Sequence, residues 1–190
     1  MATSFGPSAL ATPANAVTVG RLVLSPPLWA MILAFGPDWG ALALWILLAA
    51  TDGLDGWLAR RMGTTRSGAF LDPLADKALV LGAMWAIVAV DGFWWLPVLL
   101  ITVRELGISA FRSYWGRRGL AVPASFWAKV KTVVQSLAVG LALAPPLEDA
   151  PGVPSAVLWV AVALTLGTGA QYVLEGSRAT TASGARTSGP

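Results

Sequence analysis

Asp52, Asp55, Asp72 and Asp76 are four of the chain's 10 acidic residues, and they fall in one short stretch. Asp52 and Asp55 stand at i, i+3, and Asp72 and Asp76 at i, i+4. On helices, each spacing places both carboxylates on one face, about one turn apart. A short connection over residues 61–70 would make the two helices antiparallel neighbours, so that the four carboxylates converge. Four converging negative charges need positive counterparts. The nearby Arg60, Arg61 and Lys77 are too few and too differently shaped to neutralise them neatly. Divalent cations fit better. An all-oxygen donor set suits Mg²⁺, Mn²⁺ or Ca²⁺. Two such ions balance four carboxylates, the arrangement used for phosphoryl displacement. The blander interpretation, separate helix-end carboxylates that are solvated or paired with arginine, serves one aspartate but not four at these spacings.

The rest of the composition narrows the chemistry. The chain has no histidine and no cysteine. Disulfides, thiolate nucleophiles and imidazole bases are therefore excluded, and a general base must be a carboxylate, a lysine or a hydroxyl-type group. Gly53, Gly56, Ala59 and Gly68 surround the aspartates. Small residues there serve close helix packing, and they also let a phosphate or nucleotide approach the backbone. Arg60 lies four residues beyond Gly56, on the same helical face. A guanidinium in that place either grips a phosphate bidentately or snorkels at the helix end.

The elements that position these residues are apolar. Of 190 residues, 56% are hydrophobic and 12% charged, about half the charge of a soluble domain. Apolar stretches of near-bilayer length recur at 22–36, 40–58, 71–90, 94–111, 130–146 and 155–174. The chain thus reads as an all-α integral membrane protein with six spans. A leader (1–14) and a disordered tail (176–190) flank a single domain over 15–175. No long alternating strands suggest a membrane barrel. Charge sorts with this count. The basic connections alternate with connections holding only Asp38, Asp91, or Glu148 and Asp149. The positive-inside rule then makes the basic side, with both termini, cytoplasmic. The net charge of +3 reads as this loop bias rather than as nucleic-acid binding. Trp39, Trp94, Trp95 and Trp115 near span ends fit an interfacial aromatic belt.

Asp52-Gly-Leu-Asp55-Gly56-Trp-Leu-Ala59-Arg60, followed by Gly68-Ala-Phe-Leu-Asp72-Pro-Leu-Ala-Asp76, resembles the signature of the CDP-alcohol phosphatidyltransferase family. Every fixed position matches in order. The spacer between Arg60 and Gly68 is one residue shorter than the family's, which affects the loop rather than the carboxylates. Asn15-Ala-Val-Thr18-Val-Gly-Arg21 resembles the family's N-terminal element at the membrane surface.

The resemblance implies a six-helix bacterial inner-membrane enzyme, commonly a homodimer, with its site at the cytoplasmic face. It implies transfer of a phosphatidyl group from a CDP-linked lipid to an alcohol, with release of CMP. It implies two Mg²⁺ or Mn²⁺ ions. Asp52 and Asp72 would each touch both, Asp55 would complete one metal site and Asp76 the other. Asp76 would also be the general base. Asn15, Thr18, Arg21, Gly56, Ala59, Arg60 and Gly68 would contact the CDP-lipid. The residues agree on the essentials: a diphosphate needs charge neutralisation, and without histidine a carboxylate is the natural base.

A second basic cluster bears on the acceptor. Arg104 lies inside the fourth span, where an isolated arginine is expensive. Arg112 and Lys129 join it as candidate ligands of an acceptor phosphate, whereas Arg117, Arg118 and Lys131 read as markers of the inner side. Arg104-Glu105, Ser109-Ala-Phe-Arg112, Val122-Pro-Ala-Ser125 and Lys129-Val-Lys131-Thr132-Val-Val-Gln135 resemble the bacterial members of the family that use CDP-diacylglycerol and glycerol 3-phosphate. Phosphatidylglycerol or inositol phosphate as acceptor is the rival within the family. Membrane prenyltransferases need two separated aspartate-rich motifs in a longer chain. A carboxylate-lined cation transporter of the inverted-repeat type would show a second copy of the motif, and residues 95–175 hold none.

Overall fold

The computed structural model describes the backbone of residues 13–62, 66–116 and 126–186, and side chains for 16–51, 74–110, 127 and 129–169. Six α-helices fill the described residues, with no β-strand among them: α1 (Pro13–Phe35), α2 (Trp39–Met62), α3 (Arg66–Ala89), α4 (Trp95–Gly116), α5 (Phe126–Leu143) and α6 (Gly152–Arg186). A single 3₁₀ turn, Pro145–Leu147, lies in the α5–α6 connection.

Local chemistry explains the sharp reversals. After α1, Gly36 takes φ +67° and its N–H bonds the Ile32 carbonyl at 2.9 Å. This left-handed closure of a helix is nearly free of steric cost for glycine. Asp38 then opens α2: its Oδ2 accepts from the Gly40 and Ala41 amides at 2.6 and 3.1 Å, satisfying donors the first turn leaves orphaned. Asp91 closes α3 at φ 60°, a conformation aspartate tolerates better than most side chains. The helix α1 continues through Pro26 and Pro27.

The helices run alternately up and down. At one end, α1, α3 and α5 meet the α5–α6 connection around Ile32, Ile87, Leu143 and Leu147, lining an open pocket of about 260 Å³. At the other end, ion pairs and hydrogen bonds join α1 to α3 and α4 to α5 and α6. The helix α3 packs against α1, α4 and α5, and α6 packs against α4 and α5. Between the ends lies an apolar core of Leu28, Ile32, Leu48, Met84, Ile101 and Val139, with Ala41, Ala83, Ala138 and Ala161 among them. Burial against lipid-like surroundings brings little hydrophobic gain, so small residues and close contact do the holding. The tightest approach is α1 on α3, where Trp29 lies directly over Gly82 and occupies the space a Cβ would need.

Among the described residues, many large apolar side chains face outward. Val23, Leu33, Ile46, Leu47, Val103 and Val133 are all more than half exposed, while Arg21, Glu105 and Lys131 are buried. A soluble domain does the reverse. Among the described residues, α1 (Ala16–Phe35) and α6 (Gly152–Gly169) are long and apolar enough to cross a membrane, and Trp39–Thr51 of α2 is a shorter apolar helix. The helix α6 runs past its apolar part to Arg186, so residues 176–186 of the expected tail are helical. Extending an existing helix avoids the nucleation cost, and Ala and Arg in that stretch favour it. Residues 1–12 of the expected leader lie outside the described residues.

Candidate active site

The alternation of helices collects the polar residues at one end of the bundle. They are Thr18 and Arg21 of α1, Asp76 and Lys77 of α3, Arg104, Glu105 and Ser109 of α4, Lys131 and Gln135 of α5, and Thr165 and Thr168 of α6. Two networks form, and α3 stands between them.

The first joins α1 to α3. Arg21 is fully buried and its Nη1 donates to Oδ1 of Asp76, which is about one third exposed. Ser25 caps the Arg21 carbonyl at 2.8 Å, fixing the turn that carries the guanidinium. Thr18, one turn before, is buried beside it. Both residues were singled out from the sequence as nucleotide-side ligands, and the structure brings Arg21 onto the carboxylate expected to be the base. Asp52, Asp55, Gly56, Ala59 and Arg60 lie along the last turns of α2, and Gly68 and Asp72 along the first turns of α3. Their side chains lie outside the described residues, as does that of Asn15 at the start of α1.

The second network joins α4, α5 and α6. A single atom, Glu105 Oε1, accepts from Arg104 Nη1 at 2.8 Å and from Lys131 Nζ. Arg104 Nη2 donates to Thr168 Oγ1 at 2.8 Å, and Thr168 donates to the Leu164 carbonyl at 2.8 Å. One turn further in, Gln135 Nε2 donates to Thr165 Oγ1 at 3.0 Å. Gly169 of α6 lies against the Arg104 side chain, where a Cβ would sit 3.4 Å from Nε. Arg104 Nε is buried and has no hydrogen-bond partner.

Between the two, Lys77 donates to Ser109 Oγ of α4, and Ser109 donates to the Glu105 carbonyl at 2.7 Å. Consecutive residues of α3 therefore face different networks, Asp76 toward α1 and Lys77 toward α4.

Of the residues read as acceptor ligands, Arg104 sits at the centre of the second network. Lys129 is exposed, and the side chain of Arg112 on α4 lies outside the described residues. The buried lysine is Lys131, which the sequence reading assigned to topology. Helical spacing held the signal. Lys131 shares a face with Gln135, four residues on, and both are buried. Lys129 shares its face with Val133 and Leu137, both more than half exposed. In a membrane helix the polar face is the inner one. Glu105 and Ser109 of the Arg104–Arg112 string are further members, and Thr165 and Thr168 of α6 lie outside every motif.

The profile of the CDP-alcohol phosphatidyltransferase family matches residues 11–167, and the chain belongs to that family. Among curated relatives, a probable phosphatidylglycerophosphate synthase of Mycobacterium tuberculosis is 39% identical over 184 residues, covering 91% of this chain and 85% of that protein. A CDP-diacylglycerol–glycerol-3-phosphate 3-phosphatidyltransferase of Sodalis glossinidius is 38% identical over 167 residues, covering 83% and 90%. One of the same name from Cereibacter sphaeroides is 40% identical over 147 residues, covering 73% and 66%.

Proposed function

We propose that the protein transfers the phosphatidyl group of CDP-diacylglycerol to sn-glycerol 3-phosphate, giving phosphatidylglycerophosphate and CMP. The family supports the transferase chemistry, and the names of the relatives support this donor and acceptor. One observation carries the acceptor assignment: the buried Arg104–Glu105–Lys131 cluster at the same end as Asp76. Cations held inside an apolar bundle are costly unless they serve a partner. Arginine and lysine together are well suited to a phosphate monoester.

The metals fit by the chemistry of their donors. Asp52, Asp55, Asp72 and Asp76 are hard oxygen ligands on the adjoining ends of α2 and α3, with no thiolate or imidazole in the chain. They would hold two Mg²⁺ or Mn²⁺ ions, which neutralise the diphosphate and the departing CMP. The chain's own groups do the rest. Arg21 orients Asp76. Asp76 takes the proton of the acceptor hydroxyl at a carboxylate oxygen. The acceptor oxygen bonds to the phosphatidyl phosphorus as the bond to the CMP oxygen breaks. Arg104 and Lys131 hold the phosphate of the acceptor, and Thr18 and Arg21 flank the nucleotide side with Asn15, Gly56, Ala59, Arg60 and Gly68.

In this reading the protein is a six-span bacterial inner-membrane enzyme, with both termini and the active site at the cytoplasmic face and a second copy as partner. The exposed apolar flanks of the helices support insertion in lipid. The test is an acceptor panel. Purified protein with Mg²⁺ or Mn²⁺ should release CMP from CDP-diacylglycerol only when glycerol 3-phosphate is added. Turnover with phosphatidylglycerol or inositol phosphate instead would reassign the acceptor.

A further inference from the structure

Arg104 and Lys131 come from different helices, carry like charges and converge on one atom, Glu105 Oε1. Two cations so close in an apolar bundle repel strongly, and the carboxylate between them is what makes the arrangement possible. It also takes half of their charge, leaving the cluster with a net single positive charge. Arg104 is not exhausted by this. Its side chain is nine-tenths buried, yet Nε has no partner. An N–H left unbonded in a dry interior is a standing cost that an incoming acceptor oxygen removes.

We propose that Glu105 is a positioning residue that acts as a resident counter-anion: it holds Arg104 and Lys131 in place and sets how strongly charged an acceptor must be to draw them away. This rests on the reading of the cluster as the acceptor-phosphate site. A carboxylate tethered beside the cations competes with every ligand at high effective concentration. A phosphate dianion has the charge and the three terminal oxygens to engage both cations and the unbonded Nε–H. A neutral polyol has neither, and a monoanion offers no more charge than Glu105 already supplies. The site thus selects by rejecting weak anions, a repulsive element of specificity. A purely structural carboxylate would only stabilise the fold.

The two roles predict opposite results in Glu105→Gln, which keeps the shape and one acceptor oxygen but removes the charge. The probe is inorganic phosphate, added to full-length protein in detergent. Its affinity is read from the shift of the thermal unfolding midpoint and from competition with glycerol 3-phosphate in CMP release. Glu105→Gln should bind phosphate about tenfold more tightly than wild type, and saturating phosphate should recover most of the thermal stability the substitution loses. Glu105→Asp, which keeps the charge, should stay near wild type. Should Glu105→Gln fail to fold, Glu105→Gln with Lys131→Met restores the original net charge and should bind phosphate near the wild-type affinity. Unchanged or weaker phosphate binding in Glu105→Gln, or none in the double variant, overturns the proposal. Phosphate that neither stabilises wild type nor competes with glycerol 3-phosphate refutes the acceptor-site reading instead.

Discussion

Arg21 of α1 reaches across to Asp76 of α3, 55 residues along the chain, and its guanidinium donates to the carboxylate from a fully buried position. The two ends of this bond live in different surroundings. The arginine is locked in the bundle, whereas the aspartate keeps access to whatever enters the open end. A fixed donor holding a reachable carboxylate sets its orientation in advance of any ligand.

Asp76→Asn should lower turnover by about three orders of magnitude or more if it is the base, while insertion and detergent extraction stay normal. Arg21→Lys, which keeps the charge but loses the planar fork, should lower kcat/KM for CDP-diacylglycerol by about ten- to a hundredfold. Steady-state kinetics in mixed micelles check both.

Removal of divalent ions should stop the reaction. Excess EDTA is expected to abolish CMP release, and Mg²⁺ or Mn²⁺ to restore it. Asp72→Asn should be inactive at every metal concentration. Full activity in EDTA, or in that variant, would sink the two-metal mechanism.

Lys131 and Lys129, two residues apart, should behave differently. Lys131→Gln removes a charge-assisted bond of about 1.5–3 kcal/mol, so KM for glycerol 3-phosphate should rise about ten- to a hundredfold. Lys129→Gln, at an exposed position, should change it by about twofold or less. Arg104→Ala should raise the acceptor KM more than that of the CDP-lipid. Equal loss for both substrates would make Arg104 structural.

Gly82→Ala should destabilise the α1–α3 contact, because the new methyl meets the Trp29 indole. Overpacking of this kind costs about 1–3 kcal/mol, visible as a lower thermal midpoint. Trp29→Leu in the same chain should recover part of the loss, which a defect elsewhere would not allow.

The sequence carried the helices well, because long apolar stretches broken by Gly, Pro and charge admit little else. The paired aspartates are expected on one face of each helix; α2 and α3 carry them at their adjoining ends, while the side chains of Asp52, Asp55 and Asp72 lie outside the described residues. Arg104 stood out because charge inside a span has to be explained. Lys131 did not, because two lysines at a helix start look alike until the faces they share with Gln135 and Val133 are compared. Thr165 and Thr168 were hidden for another reason. Their partners lie on other helices, and nothing in local spacing records which helices touch. Beyond residue 174 the apolar pattern ends but the helix does not, because Arg and Ala in that stretch still favour helix.

Asp76 and Lys77 are neighbours on α3, and one residue of an α-helix turns about 100°. That step is enough to point one toward α1 and the other toward α4. The helix α3 therefore works as a common wall between the α1 contact and the α4 contact. A slide or roll of α3 would move Asp76 and Lys77 together, so the two networks are tied to one rigid rod.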